Sequence, residues 1–276
     1  RVEKAMVPIL NGIRHLSAGN PVCLEESGEL AEISASLNKA GDYLLKKDNT
    51  RAEWIRGISH DIRTPLSIVL GYASEIEDTV SLPEATRKQA GIIRRYSEKL
   101  KNLVADLNLT TKLEYSIQPL QKQKIDPVEL ARQVVSEVLN DGISELYELE
   151  LSEDTPGKNL SLVGDQALLS RMLNNLIRNC IVHNPDGCTI QVSVGSCDAM
   201  CTFSVADNGY GISEPQLNAL NSGKDISSTQ KQTGETEHGL GLKIVMQIVK
   251  AHQGIIQFAD TIPHGLSIHI SLPMKL

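Results

Sequence analysis

A histidine and a threonine one helical turn apart, two asparagines spaced the same way, and two glycine-bearing stretches are the parts of this sequence best suited to chemistry. His60 offers a ring nitrogen, and an imidazole near neutral pH can act as nucleophile or proton carrier. Thr64 follows four residues later, so on a helix its hydroxyl shares the histidine's face. Asn175 and Asn179, in the run NLIRN, stack two amides where apolar residues would otherwise sit. An amide oxygen suits Mg²⁺, a hard cation that keeps an octahedral oxygen shell of waters and nucleotide phosphates. Asp207 heads the run Asp207-Asn208-Gly209-Tyr210-Gly211. A carboxylate at a strand end can accept the exocyclic amine of adenine, and Gly209 and Gly211 let backbone approach a ligand closely. Gly239-Leu240-Gly241-Leu242 opens a helix over 243–251, and a glycine turn at a helix amino terminus is a ready phosphate site. Taken singly, each has a plain structural reading as well: a surface histidine, a polar helix face, a tight turn.

These residues need elements to hold them. From Trp54 to Tyr72 the apolar residues Ile55, Ile58, Ile62, Val69, Tyr72 and Ile76 fall at steps of three and four, the signature of one buried helical stripe. His60 lies two residues past Ile58, about 200° around the helix, and so faces water. Pro65 cannot donate to the carbonyl of Asp61, which costs about 3 kcal/mol in an ordinary helix interior and predicts a bend one turn after His60. A second helix carries Ala85, Gln89, Ile92, Tyr96, Leu100, Leu103 and Leu107 on one seam. With the first it forms an antiparallel hairpin, and since one hairpin has too little core, two would pair as a four-helix bundle in a homodimer. Arg87, Lys88, Arg94, Arg95, Lys99 and Lys101 make the second helix basic, as a solvated face or as a docking surface for an acidic partner.

Upstream, Val2, Ile9, Ile13 and Leu16 mark one helical seam, and Leu30, Ile33, Leu37, Ala40 and Leu44 mark another with heptad steps. Carrying that heptad into the next apolar set requires one extra step of four, a stutter that locally unwinds a coiled coil. Beyond about residue 118 the pattern changes. Asp126-Pro127 and Val163-Gly164-Asp165 each open a helix, while 189–194, 201–205, 255–259 and 266–272 alternate as strands. Helices grouped on one face of a mostly antiparallel sheet make an α+β sandwich. Residues 221–238 are almost wholly polar, and a loop of that length in a compact domain predicts a lid, from which Lys224 or Lys231 could reach a phosphate.

SHDIRTPL, around His60, resembles the phosphoacceptor box of bacterial sensor histidine kinases of two-component systems. The three later stretches, in their order and spacing, resemble the N, G1 and G2 boxes of the GHKL ATP-binding fold. Residues 1–48, with Pro8, Gly19-Asn20 and Gly28-Glu29, resemble a HAMP relay module. The resemblance implies a HAMP module at 1–48, a dimerisation and phosphotransfer hairpin at 49–116, and a catalytic ATP-binding domain at 117–276. It implies His60 as the phosphorylated residue, Asp61 as the acid that fixes its tautomer, and Thr64 as the residue orienting water in a regulator phosphatase reaction. ATP is then held by Asn175, Asn179, His183, Asp207, Gly209, Gly211, Gly239, Leu240, Gly241 and Leu242, with Mg²⁺ at Asn179. The implied partners are a second copy of the chain and a response regulator. The sequence departs from the family pattern at Val182 and His183, where lysine then tyrosine is usual. It departs again at Glu237, where the G2 box has glycine, and in lacking a phenylalanine-centred box between G1 and G2.

Composition narrows the remaining classes. A net charge of −7, from 34 acidic against 27 basic residues, gives no basic nucleic-acid footprint. Five cysteines without a C-x-x-C pair fit reduced thiols better than a disulfide frame or metal site. No apolar run reaches the roughly 18 residues a membrane span requires. Arg1 opens what reads as the middle of a helix, so the chain reads as the cytoplasmic piece of a longer, membrane-anchored protein. Two alternatives remain open: a degenerate scaffold that binds without phosphorylating itself, and a GHKL ATPase clamp that releases free phosphate.

Overall fold

The computed structural model describes the chain apart from residues 1, 18–21, 29, 115–118, 155–159, 223–239, 262–263 and 276, and apart from the side chains of 2–5 and 17. It divides into two compact units, 1–117 and 118–276.

The first unit is helical: α1 (Val2–Ser17), α2 (Ala31–Asp78) and α3 (Glu84–Glu114). At 48 residues α2 runs about 72 Å, through Pro65 and without a break near residue 48. Asn38, on α2, fastens the connector before it, since its amide accepts from Leu24 N at 2.8 Å and donates to Leu24 O at 2.8 Å. At the other end Thr79 hydrogen-bonds back to Glu75 O, and the chain turns into α3 after Pro83. Glu77 secures this turn: its carboxylate accepts from Arg94 Nε at 2.6 Å, and its backbone carbonyl accepts from Arg87 Nε at 2.7 Å. Arg94 in turn holds the Glu77 carboxyl below its ordinary value. Gly91 leaves the room this needs, because a Cβ there would lie 2.7 Å from Glu77 Oε1.

The buried seam between α2 and α3 differs from the one expected. Small residues fill it, with Ala52, Ser59 and Ala73 from α2 and Ala90, Gly91, Ser97, Thr110 and Thr111 from α3. The large apolar stripe expected to be buried stands open: Ile62 is 41% exposed, Val69 43% and Tyr96 66%. Ile58, Tyr72, Ile76, Ile92, Leu100 and Leu107 are exposed as well, as are Ile13, Ile33 and Leu44 of the upstream seams. The reason is geometric. Small side chains let two helices approach closely, and that turns the larger neighbouring positions outward.

In the second unit, β1 (Gln123–Ile125) pairs antiparallel with β3 (Leu162–Gly164). A five-stranded sheet has the order β2-β4-β5-β7-β6, comprising β2 (Tyr147–Glu153), β4 (Cys188–Cys197), β5 (Met200–Asp207), β6 (Ile255–Asp260) and β7 (Leu266–Pro273). Only β2–β4 is parallel among these pairs. The helices are α4 (Pro127–Asn140), α5 (Gln166–His183), α6 (Glu214–Asn221) and α7 (Leu240–Ala251). Asp126 caps α4 by accepting from Val128 and Glu129 N–H, with Pro127 at the first helical position. Asp165 caps α5 by accepting from Leu168 N–H at 3.2 Å. Leu169, Met172, Leu173, Leu176 and Ile177 of α5 pack with Ile244, Val245 and Ile248 of α7 over Ile190, Val192, Phe203, Val205, Ile268 and Ile270 of the sheet, all of them buried. His252, wholly buried just past α7, ties this core to the start of α5. Its Nδ1 donates to Ile248 O at 2.8 Å, and its Nε2 accepts from Asp165 N–H at 3.0 Å.

Candidate functional site

In the first unit His60 and Asp61 stand side by side on α2, with side chains 77% and 83% exposed. His60 Nδ1 lies 3.4 Å from Asp61 Oδ1, a pairing that regular helix geometry does not supply for adjacent residues. Ser59 just before them is buried and donates its hydroxyl to Ile55 O at 2.7 Å, so α2 turns Ser59 into the seam and the His60 ring into solvent. Thr64 is exposed, and its hydroxyl makes only a long contact to His60 O, 3.4 Å.

In the second unit α5 and the residue after it meet the described parts of both later stretches, at Gly241 and at Tyr210. Asn175 and Asn179 project from α5, and the amide nitrogen of Asn175 is buried without a hydrogen-bond partner. Asn179 Oδ1 lies 3.4 Å from where a Cβ on Gly241 would be, so the α5 amide abuts the first turn of α7. That helix begins at Leu240 and includes Gly241 and Leu242, three residues earlier than the expected start. Gly239, Lys224, Lys231, Glu237 and His238 lie outside the described residues, as does nearly all of the expected lid.

Asp207, at the end of β5, is buried, and its Oδ1 accepts from Gly209 N–H at 3.0 Å. Burial and then the adjacent Asp207 carboxylate push the Cys180 thiol well above its ordinary value, so a neutral thiol sits beside this carboxylate. Gly211 has φ +68°, and its missing Cβ would come within 3.0 Å of Gly265 O, a conformation and a fit that demand glycine. His183, the last residue of α5, is exposed. Sequence reasoning missed Asn184. It is 3% exposed, and its side chain donates to Cys180 O at 2.8 Å and accepts from Tyr210 N–H at 2.9 Å. An asparagine between a helix end and Pro185 gave only a turn signal, and the partner that matters lies 26 residues away.

An unpaired buried amide, a second amide against a helix amino terminus and a buried carboxylate flanked by glycines form a donor and acceptor set suited to a nucleotide. Residues 164–276 match the family described as Histidine kinase-, DNA gyrase B-, and HSP90-like ATPase, and residues 50–116 match the His Kinase A (phospho-acceptor) domain. The sensor histidine kinase YvrG of Bacillus subtilis is 30% identical over 255 residues, covering 86% of this chain and 43% of that protein. The structure of full-length ShkA in complex with AMPPNP shares the fold at a TM-score of 0.64 and 24% identity, covering 80% of this chain and 45% of that one. The histidine kinase ThkA in complex with the response regulator protein TrrA aligns at a TM-score of 0.55 and 22% identity, covering 83% of this chain and 64% of that one. The chain belongs to the sensor histidine kinases of two-component signalling, and it spans less than half the length of YvrG.

Proposed function

We propose that this chain is the signalling core of a sensor kinase, in which ATP bound in the second unit donates its γ-phosphoryl group to His60. The group then passes to an aspartate of a response regulator. The observation that carries the reading is the exposed His60 with a carboxylate against one ring nitrogen. With Nδ1–H donating to Asp61, the lone pair remains on Nε2, which makes Nε2 the nucleophile. As the Nε2–phosphorus bond forms, the phosphorus–oxygen bond to ADP breaks, and Asp61 accepts the Nδ1 proton. Mg²⁺ at the nucleotide phosphates would neutralise their charge during transfer. Asn179 supplies an oxygen suited to that ion, and the unpaired Asn175 amide nitrogen supplies a donor to a bound acceptor. Asp207 takes the adenine amine. His183, exposed at the helix end, is available to stack at the base.

The open apolar stripe of α2 and α3 supports a homodimer in which two hairpins cover each other's seams. Residues 1–48 act as a HAMP-like relay, 49–116 as the dimerising acceptor hairpin and 117–276 as the catalytic domain. The uninterrupted α2 gives helix movement upstream a direct path to His60. An anchor upstream of this chain would hold the protein at the bacterial membrane; among the described residues, no helix is long and apolar enough to cross one. Thr64, exposed and only loosely bonded to its own helix, is placed to orient a water against a docked aspartyl phosphate. Thr64→Ala should therefore keep His60 labelling and slow regulator dephosphorylation. Equal loss of both rates would show that Thr64 only shapes the helix.

The nucleotide assignment is tested by calorimetric titration of Mg-ATP into Asn179→Asp and Asp207→Asn. Each should weaken binding at least about tenfold, since Asp207→Asn removes a buried charged acceptor and Asn179→Asp sets a negative charge beside the phosphates. Normal binding by either variant would overturn the assignment of these residues.

A further inference from the structure

We propose that Asn184 is a positioning residue of the nucleotide site, a staple that fixes the distance between the asparagines of α5 and the loop carrying Asp207. The proposal rests on the reading of this unit as an ATP-binding domain.

Three constraints meet at this side chain. Its Nδ2 donates to Cys180 O at 2.8 Å, satisfying one of the last carbonyls of α5, which lack a donor within the helix. Its Oδ1 accepts from Tyr210 N–H at 2.9 Å, holding the middle of the loop after β5. A Cβ on Gly209 would lie 1.9 Å from Asn184 Oδ1 and 2.2 Å from its Cγ, so the loop closes directly over the amide. Cys180 is the residue after Asn179, and Gly209 N–H is the donor to Asp207 Oδ1. A single amide therefore links, through one residue on either side, the group assigned to the phosphates and the group assigned to the base.

Neighbouring contacts pull the same way. The Tyr210 hydroxyl bonds Asp186, two residues beyond Asn184, and Asn208 Oδ1 accepts from Thr189 N–H at 2.8 Å. Both anchor the rim of the loop. Asn184 reaches under it, which explains why a polar side chain is kept almost wholly buried at a helix end. A site that grips base and phosphates on separate elements loses affinity when their spacing relaxes, even though every contacting residue survives.

Calorimetric titration of Mg-ATP into the whole chain, together with the rate of His60 labelling against ATP concentration, tests this. Asn184→Ala should raise Kd and KM by about tenfold, while the labelling rate at saturating ATP stays within about twofold of the unmodified chain. A threonine hydroxyl can bond the carbonyl four residues back, so Asn184→Thr should recover part of the loss. Gly209→Ala drives a methyl into the Asn184 amide and should abolish binding. Combining it with Asn184→Ala, which clears that space, should restore binding to about the level of Asn184→Ala alone. Unmodified-chain affinity in Asn184→Ala or Asn184→Thr, or a Gly209→Ala defect that the double variant does not relieve, would overturn the proposal. If Asn184→Ala fails to fold, the threonine variant alone decides. Failure of the unmodified chain to bind Mg-ATP would instead overturn the ATP reading.

Discussion

The two units bury their apolar residues in opposite ways. In the α+β unit, Leu169, Met172, Leu173, Ile190, Ile244 and Ile270 are each fully enclosed by their own chain. In the α2–α3 hairpin, the enclosed positions are alanine, glycine, serine and threonine, while isoleucine, leucine, valine and tyrosine line an open stripe. The first arrangement is a finished core. The second leaves its large residues open, and His60 stands in water on the far side of α2 from that stripe.

The sharpest way to break this contrast is to truncate one residue from each unit. Leu173→Ala should cost the second unit about 2–5 kcal/mol in denaturant unfolding, independent of protein concentration. Ile62→Ala should cost less, and in the proposed homodimer its cost should grow with protein concentration. A concentration-independent cost equal to that of Leu173→Ala would mean that α2 buries this stripe within one chain. Next in size, Val69→Asp puts a charge in the stripe and should shift the chain toward monomer in sedimentation equilibrium, leaving Mg-ATP affinity unchanged. A dimer that survives would place the interface elsewhere.

A smaller effect separates the units by pH. Burial lowers the pKa of His252 from its ordinary value of 6.5, outweighing the raising influences of the Ile248 carbonyl and Asp165. A group whose folded pKa is depressed adds proton uptake on unfolding. The stability of the second unit should therefore be full above about pH 6.5 and decline as pH falls from there toward the lowered value. In His252→Gln that part of the slope should vanish from thermal unfolding curves recorded between pH 7 and 5, and an unchanged slope would assign it to other groups.

Much of this was legible in the sequence where local rules dominate. Asp126-Pro127 and Asp165 announced α4 and α5, because an acceptor side chain at a helix start has one obvious use. The alternation in 189–194, 201–205, 255–259 and 266–272 announced the strands that face both a core and solvent. β2 escaped notice because YELELSE is an edge strand with glutamates on its open face and few apolar residues. The three-residue strands β1 and β3 carry too little pattern to read, and α6 was hidden although Ser213 and Gln216 form a capping box. Heptad steps found the large residues of the hairpin without revealing that small ones seal it, since periodicity gives a face and not its partner. The Asp207 loop was visible by its glycines. Its tie to Asn184 was not, because that contact belongs to the tertiary fold.

The central claim is that ATP bound by the second unit phosphorylates His60. Incubation of the chain with Mg²⁺ and γ-labelled ATP, beside the His60→Gln variant, tests it most directly. The account predicts acid-labile, base-stable label on the unmodified chain and none on His60→Gln, with equal Mg-ATP binding by the two. Label retained by His60→Gln, or free phosphate released from an unlabelled chain, would contradict it.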